Sequence, residues 1–443
     1  MLKSVRRAMG WAESEATPAD ASAIPEPVDE VQRNPFTDVQ LLSGHTNIVR
    51  RLLRIDDTRF ASAADDCTVI VWNYRTGRRL KTLVGHTLPI NCILLLCVEA
   101  DNTIIVTSSS DKTIRMWNID RGDCVAVLKE HGGSAKCLVN LGNIQFCSGG
   151  KNVCLWNRQG QLLCSLARNE EDSDLTLMIR IRDNRMVCAS STKDLEVYYL
   201  DTQRSGNPRV VLVKKLTQHL ETVRSLLNLS ENLFASASLD GGIILWTTHT
   251  LVPVRVMNSH RDVQDVAHVY SYSVQHMIAV DERVLVAAVG HGFGMFDVLT
   301  GEALVKCFNA HLSTATQVMV LQDGARLLTC SADSSIRLWA PETENADDPN
   351  AVDSFVESGS QRGGAAQMKS VKAVCIGELV AHSDAVHALL LCNEHTFASC
   401  GADGMVILWK NGFVESRKRN ELAKMMMLRQ RAGAEGETLQ EIP

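Results

Sequence analysis

The chain has 443 residues, 45% of them hydrophobic and 22% charged, with a formal net charge of −6 and a pI near 6.1. This acidic balance leaves no electrostatic footprint for nucleic acid, and no run approaches the roughly 18 apolar residues of a membrane helix. The 14 Cys stand singly, with no C-x-x-C pair, at mostly apolar positions such as Cys92, Cys147, Cys188 and Cys392; this argues against zinc and against a disulfide framework, and predicts buried, reduced thiols in a cytoplasmic protein.

Residues 1–34 open the chain. Leu2, Val5 and Met9 fall at helical spacing beside Lys3, Arg6 and Arg7. Arg6-Arg7 interrupts any apolar run that would serve as a secretory signal. Residues 13–29 are rich in Ala, Pro and acids, too polar to build a core, so 1–34 is expected to be a disordered tail. A short β-prone run follows at 38–42.

From there one pattern recurs. Five times a Trp follows an Asp by six residues, that Asp follows a Ser or Thr by four, and a His precedes the Trp by 27 to 31. The sets are His45/Ser62/Asp66/Trp72, His86/Thr107/Asp111/Trp117, His219/Ser236/Asp240/Trp246, His311/Thr329/Asp333/Trp339 and His382/Ser399/Asp403/Trp409. Each unit opens on Gly-His or a similar pair, runs through two β-rich stretches, turns tightly at the Asp and closes a strand at the Trp. In the first unit the stretches are 48–55, 59–63 and 68–73, with apolar and β-branched residues alternating at roughly period two. The spacing suits a buried network. The carboxylate holds the turn and the imidazole, the imidazole reaches the hydroxyl, and the hydroxyl meets the indole N–H. No member is then left unpaired, which would cost on the order of 1–3 kcal/mol each.

Three further units are degenerate. One runs from His131 to Trp156-Asn157, with Gly150 where the Asp should stand and a turn made by Gly149-Gly150-Lys151-Asn152. A second, between about 167 and 216, has neither His nor Trp, but 186–190 and 195–200 read as paired strands. A third, between about 254 and 308, has strands at 284–289 and 294–297 around Gly290-His291-Gly292, with Phe296 near the Trp position. Residues 341–372 interrupt the last strands of one unit and carry little that is apolar beyond Val352, Phe355 and Val356, so they are expected to form a disordered loop. Residues 413–432 favour helix. Leu422, Met425 and Met426 make an apolar stripe there, flanked by Arg417, Lys418, Arg419 and Glu421. That stripe suits either packing against the rest of the chain or binding a partner. Residues 433–443 are expected to be a disordered tail.

The repeat resembles the WD-repeat pattern, with a period of about 40–45 residues and four strands per blade. The expected fold is all-β: a WD-repeat β-propeller over 35–412, eight-bladed, with seven blades as the alternative if the unit after Trp156 fails to form a sheet. The last blade lacks an outermost strand of its own. The run at 38–42 is expected to supply it and remove an open edge. No catalytic or cofactor motif is visible. The five repeat histidines are taken up by the networks; His260 and His291 read as loop residues; Asp65-Asp66 and Asp347-Asp348 read as a turn and a solvated loop; Gly290–Gly294 lies between strands, not before a helix. The chain reads as a non-enzyme that needs no metal or cofactor.

Several stretches are similar to one family in particular, WD repeat-containing protein 41. They are Asn34-Pro35-Phe36-Thr37, Asp57-x-Arg59-Phe60-Ala61-Ser62-Ala63, Ser148-Gly149-Gly150 with Cys154-Leu155-Trp156-Asn157-Arg158, Ala287-Ala288-Val289-Gly290, and Ile407-Leu408-Trp409-Lys410-Asn411-Gly412 with Glu415-Ser416. The resemblance runs from about 32 to 416. It implies an eight-bladed adaptor in a ternary complex with two DENN-domain proteins, recruited to the lysosomal surface in autophagy and small-GTPase control. It places the contact with them at the chain termini, at Phe36 and at the helix residues Arg417, Leu422, Met425 and Met426. It also implies contact with a lysosomal amino-acid transporter through the loop matching 341–372. There the sequence departs from the family's Phe/Trp/Gly-rich stretch, with no Trp and Phe355 as its one Phe. An alternative rests on Trp72-Asn73-Tyr74-Arg75, which approximates the Trp-Asp-x-Arg element of substrate receptors for cullin-type ubiquitin ligases.

Overall fold

A computed structural model describes residues 34–99, 101–142, 145–169, 173–201, 208–258, 272–322, 324–342 and 371–437, with side chains to residue 427 in the terminal helix. Among these residues thirty-two strands form eight antiparallel sheets of four. The first blade shows the plan: Val49–Arg54, Arg59–Ala64, Thr68–Asn73 and Arg78–Val84 pair in chain order. Its two middle strands are almost wholly buried, while Arg78–Val84 is mostly exposed. Both faces of a middle strand meet neighbouring blades, so its apolar run is continuous rather than alternating.

The inner strands lie side by side around the axis, and the strand Val49–Arg54 meets Val386–Asn393 to close the circle. The core is not one nucleus. Eight apolar clusters fill the eight gaps between adjacent blades. The cluster around Phe60, Ile70, Trp72, Ala398, Cys400 and Leu408 joins the last blade to the first. The one around Phe397, Ile407 and Trp409 joins the last to the blade before it.

The two units with weakest signal both form complete sheets. The fourth blade is built from Leu175–Ile181, Arg185–Ser190, Leu195–Asp201 and Arg209–Leu216, and the sixth from Val274–Ala279, Val284–Val289, Gly292–Asp297 and Ala303–Cys307. The count is therefore eight, not seven. In the sixth blade Gly292 is obligatory, because a Cβ there would run into the Cys307 carbonyl oxygen.

The strand Asp38–Leu42 completes the last blade, antiparallel to Val406–Lys410, with Val39 opposite Trp409 and Leu42 opposite Val406. Just upstream, Phe36 corrects an expectation. Its ring does not face outward to a partner; it is 3% exposed and meets Phe397 edge-on at 4.9 Å. The physical reason is closure itself, since the strand that seals the ring carries its preceding aromatic into the gap beside the last blade. The long insertion leaves the seventh blade after Ile336–Pro341 and returns at Ala373–Leu379; its residues 343–370 lie outside the described residues, as do 1–33 and 438–443.

The helix spans Gly412–Glu437, longer at its end than the expected 413–432, so 433–437 are helical rather than tail. Asn411 caps it: its Oδ1 accepts the backbone N–H of Phe413 and Val414 at 3.1 and 3.2 Å.

Replacing Phe36 by Ala is expected to cost about 3–5 kcal/mol. Equilibrium denaturation of the full chain measures it, and a loss below about 1 kcal/mol would mean the aromatic contact does not hold the seam.

Candidate functional site

Each tetrad is assembled by four segments of one unit. The His lies in the loop before the inner strand, the hydroxyl on the second strand, the Asp at the tip of the next hairpin, and the Trp on the third strand. In the first blade His45 Nδ1 lies 2.8 Å from Asp66 Oδ2 and Nε2 2.8 Å from Ser62 Oγ, to which Trp72 Nε1–H donates at 2.8 Å. The second blade repeats this with His86, Asp111, Thr107 and Trp117, all three links at 2.8 Å. The eighth does so with His382–Asp403 at 2.8 Å, His382–Ser399 at 2.7 Å and Trp409–Ser399 at 2.8 Å.

Two sets differ. In the seventh blade His311 Nε2 reaches Thr329 at 2.7 Å and Trp339 donates to Thr329 at 2.9 Å, but Nδ1 lies nearer Ser335 Oγ, at 2.9 Å, than Asp333, at 3.3 Å. Ser335 in turn donates to Asp333 at 2.7 Å. In the fifth blade His219 and Trp246 both reach Ser236, at 2.7 and 2.8 Å, yet His219 Nδ1 is 3.9 Å from Asp240 and has no hydrogen-bond partner among the described residues. There Asp240 is occupied by the backbone N–H groups of Leu220 and Gly242.

The tip of the hairpin holds a residue that the spacing rule did not include. Directly after each tetrad Asp the backbone turns left-handed: Cys67 (φ 69°), Lys112 (65°), Gly241 (83°), Ser334 (70°) and Gly404 (74°). The Asp carboxylate accepts the N–H two residues on, as Asp66 does from Thr68 at 3.0 Å and Asp403 from Met405 at 3.0 Å. This turn explains why Asp is required there. The hydroxyl of Thr68, Thr113 or Ser335 also joins the network where present.

Electrostatics follow from burial. Burial lowers the His45, His86 and His382 imidazoles below their ordinary value, outweighing the nearby carboxylates. Burial alone would raise the Asp111 carboxyl, but hydrogen bonds from Thr113, His86 and the backbone outweigh it and hold it down at about 2. These groups sit in a structural lattice.

The degenerate blades replace the tetrad. In the third, Trp156 still donates to Ser148 at 2.8 Å, while His131 Nδ1 meets Cys154 Sγ at 3.2 Å and Nε2 has no hydrogen-bond partner among the described residues. Gly150 cannot be Asp there, because a Cβ would strike the Ser134 carbonyl oxygen. In the fourth, Tyr198 stands opposite Met186 as Trp72 stands opposite Phe60. Arg168 grips Glu196 with two hydrogen bonds, at 2.8 and 3.0 Å, and Tyr198 donates to the same carboxylate at 2.5 Å. In the sixth, Phe296 is fully buried at the Trp position. Next to it, the buried Asp297 accepts from Arg283 at 3.2 Å.

The surface residues of interest gather at the closure seam. Lys410 is 7% exposed and donates to Gln40 Oε1 at 2.9 Å and to the Arg75 carbonyl at 3.1 Å. A cleft of about 550 Å³ opens beside it, lined by Arg54, Tyr74 and Arg75 of the first blade, Gln322 of the seventh, the 393–396 turn of the eighth, and Glu415 and Lys418 at the root of the helix. Arg75 is exposed and donates to the Asp57 carbonyl at 3.3 Å. The helix stands off: every residue from 416 to 427 is exposed, and Arg419, bonded to Asp38 at 3.0 Å, ties it back to the ring. Leu422, Met425 and Met426 are each more than half exposed, as are Phe413 and Met427. Arg417 is spent on Glu421, at 3.2 Å. The stripe does not pack against the propeller.

His260 lies outside the described residues, and His291 is exposed in a turn. All 14 cysteines are free, and many thiols are raised by burial. Among the described residues no group of three His, Cys, Asp or Glu is placed to hold a metal ion, and no helix is long and apolar enough to cross a membrane.

A closed wheel of eight four-stranded sheets, locked by His–hydroxyl–Asp–Trp networks, defines a WD-repeat β-propeller, a scaffold architecture. A family model described as the WDR41 β-propeller matches residues 5–419, and the chain belongs to that family. WD repeat-containing protein 41 of Homo sapiens is 30% identical over 91% of this chain and 93% of its own length. The protein of the same name from Mus musculus is 28% identical over the same shares. Among solved structures, the computationally designed Ika8 protein has a TM-score of 0.63 at 20% identity, covering 84% of this chain and 98% of its own, a likeness of fold.

Ser62→Ala strands both the Trp72 N–H and His45 Nε2 and is expected to destabilise the chain by about 2–5 kcal/mol. Asp240→Ala, which breaks no bond to its His, should cost less than Asp66→Ala in the same denaturation series. Acid sensitivity has a defined source at His131, which burial lowers to about 4 from 6.5. The unfolded chain therefore takes up this proton first. Stability is full above pH 6.5 and is lost as pH falls toward 4, by about 3 kcal/mol. His131→Gln should remove about that much of the fall, read from denaturation midpoints at pH 7 and pH 4.

Proposed function

We propose that the chain is the non-catalytic adaptor subunit of a ternary complex with two DENN-domain proteins, recruited to the lysosomal surface in autophagy and small-GTPase control. The reading rests on the family resemblance and, on the molecule itself, on the helix Gly412–Glu437. The propeller is complete without it, and its Leu422, Met425 and Met426 stripe lies open to solvent. An uncovered apolar stripe marks an interaction surface, and Met side chains adapt to irregular partner grooves. A helix laid into a groove is read through positions i, i+3 and i+4, the spacing of these three. Any GTPase-directed chemistry belongs to the DENN partners. The lysosomal transporter contact has the weaker claim, because the loop 341–372 lacks Trp.

Affinity purification from the native cells is expected to recover two large DENN proteins. Truncation after Asn411 should leave the melting transition cooperative and reduce their recovery at least about tenfold, the scale of one lost helix face. Leu422→Glu with Met426→Glu should do the same. Undiminished recovery from these variants would overturn the role of the helix. Recovery of a cullin adaptor instead, lost on Arg75→Ala, would transfer the function to ubiquitin ligation.

A further inference from the structure

The eight inner strands, which wall the central channel, carry an unusual charge pattern for a protein of net charge −6. Together they hold Arg50, Arg51, Arg54, Arg180 and Arg224, with His276 and His387, and not one Asp or Glu. Three of the arginines are spoken for: Arg50 by Asp65, Arg54 by Asp57, and Arg180 by the Leu141 carbonyl oxygen. Arg51 and Arg224 have no carboxylate within ion-pair distance among the described residues. Both line a channel cavity of about 530 Å³, together with Gln275, His276, Gln317 and His387. His276 Nδ1 is buried without a hydrogen-bond partner among the described residues.

Arg51 Nε donates to the Asn91 carbonyl oxygen at 3.4 Å, which leaves its two terminal nitrogens facing the cavity with no hydrogen bond among the described residues, and the placement of the two guanidinium groups that lack a carboxylate narrows the ligand. Arg51 belongs to the first blade and Arg224 to the fifth, which face each other across an eight-membered ring. An anion that satisfies both must present charge on two sides. Arginine forks match phosphate oxygens in pairs. A cleft lined by one sign of charge focuses its field on an entering anion. The volume falls in the range of about 300–1,000 Å³ typical of small-molecule sites, too narrow for a folded partner.

We infer that the central channel binds a small, multiply charged phosphate-bearing anion, held between Arg51 and Arg224. This goes beyond the adaptor reading and is independent of the helix, so either can fail without the other.

The test is calorimetric titration of the full chain with myo-inositol hexakisphosphate, with pyrophosphate and with hexaglutamate peptide, at about 0.15 M salt. Inositol hexakisphosphate should bind saturably, one molecule per chain, with pyrophosphate weaker. Arg51→Gln and Arg224→Gln should each weaken it about tenfold, the value of one charge-assisted contact, and together at least about thirtyfold. Arg78→Gln, on an exposed outer strand, should leave it unchanged. Both channel arginines are exposed, so the variants should fold; if the double variant does not, the single Arg224→Gln titration decides. Absence of binding, or binding that Arg224→Gln leaves intact, overturns the assignment. Tighter binding of hexaglutamate than of either phosphate also overturns it, and makes the channel a socket for an acidic chain.

Discussion

A buried hydroxyl shared between an indole and an imidazole is the interaction on which the wheel depends. Ser62, Thr107, Ser236, Thr329 and Ser399 are all fully buried. Each accepts the Trp N–H from the neighbouring strand. Where the carboxylate faces Nδ1, that nitrogen carries the proton and Nε2 accepts from the hydroxyl. The donors then run one way, from indole to hydroxyl to imidazole to carboxylate, and end on a hairpin tip. That chain ties the second and third strands to the loop that begins the blade. Burial and the carboxylate pull the imidazole in opposite directions, and burial prevails, which favours the neutral ring.

The departures obey the same constraint by other means. When the Asp is lost in the third blade, the space it would occupy is taken by the Ser134 carbonyl, and His131 turns to a thiol. When both His and Trp are lost in the fourth, a buried Arg–Glu–Tyr cluster connects Arg168, just past the outer strand of the third blade, to the third strand of the fourth. Burial alone would raise the Glu196 carboxyl, but hydrogen bonds from Arg168 and Tyr198 outweigh it. Breaking such a cluster at one member is costly even where the whole contributes little. The sixth blade drops the network and relies on packing, with Phe293 and Phe296 both fully buried. Eight inter-blade gaps must be filled in every case; the polar device inside each sheet can vary.

What could be read from the sequence follows the range of the interaction. The tetrads lie within one unit each, so fixed spacing exposed them. Closure was legible because a blade without an outer strand leaves an edge, and one β-prone run was left over. The left-handed turn after each Asp was half visible: Gly241 and Gly404 announce it, whereas Cys67, Lys112 and Ser334 adopt the same backbone without any compositional sign. The Ser335 relay was hidden for a similar reason, since a hydroxyl two residues past the Asp is also a common turn residue. Phe36 was misread because its partner, Phe397, lies at the other end of the chain and meets it only once the ring is shut. The channel charge was invisible for the same reason. Arg51 and Arg224 are far apart in sequence and come into one cavity only through the circular order of the blades. The end of the helix was hidden because Gly433 and Gly436 read as breakers, whereas the helix runs through both to Glu437.

The seam also bears on how a scaffold of this shape works. The strand Asp38–Leu42, the last strand Val406–Lys410 and the root of the helix meet at one place, joined by Lys410 to Gln40 and Arg75 and by Arg419 to Asp38. The strand Asp38–Leu42 and the root of the helix are therefore held together only while the ring is closed. A partner that grips the helix against the N-terminal strand binds the closed state and not an opened one, so by mass action it stabilises closure as it binds. The free helix makes few contacts of its own and forfeits little when it is covered. The rigid wheel fixes its direction of exit, through the Asn411 cap. The exposed helix is thus anchored at the point where the fold has most to gain from being held.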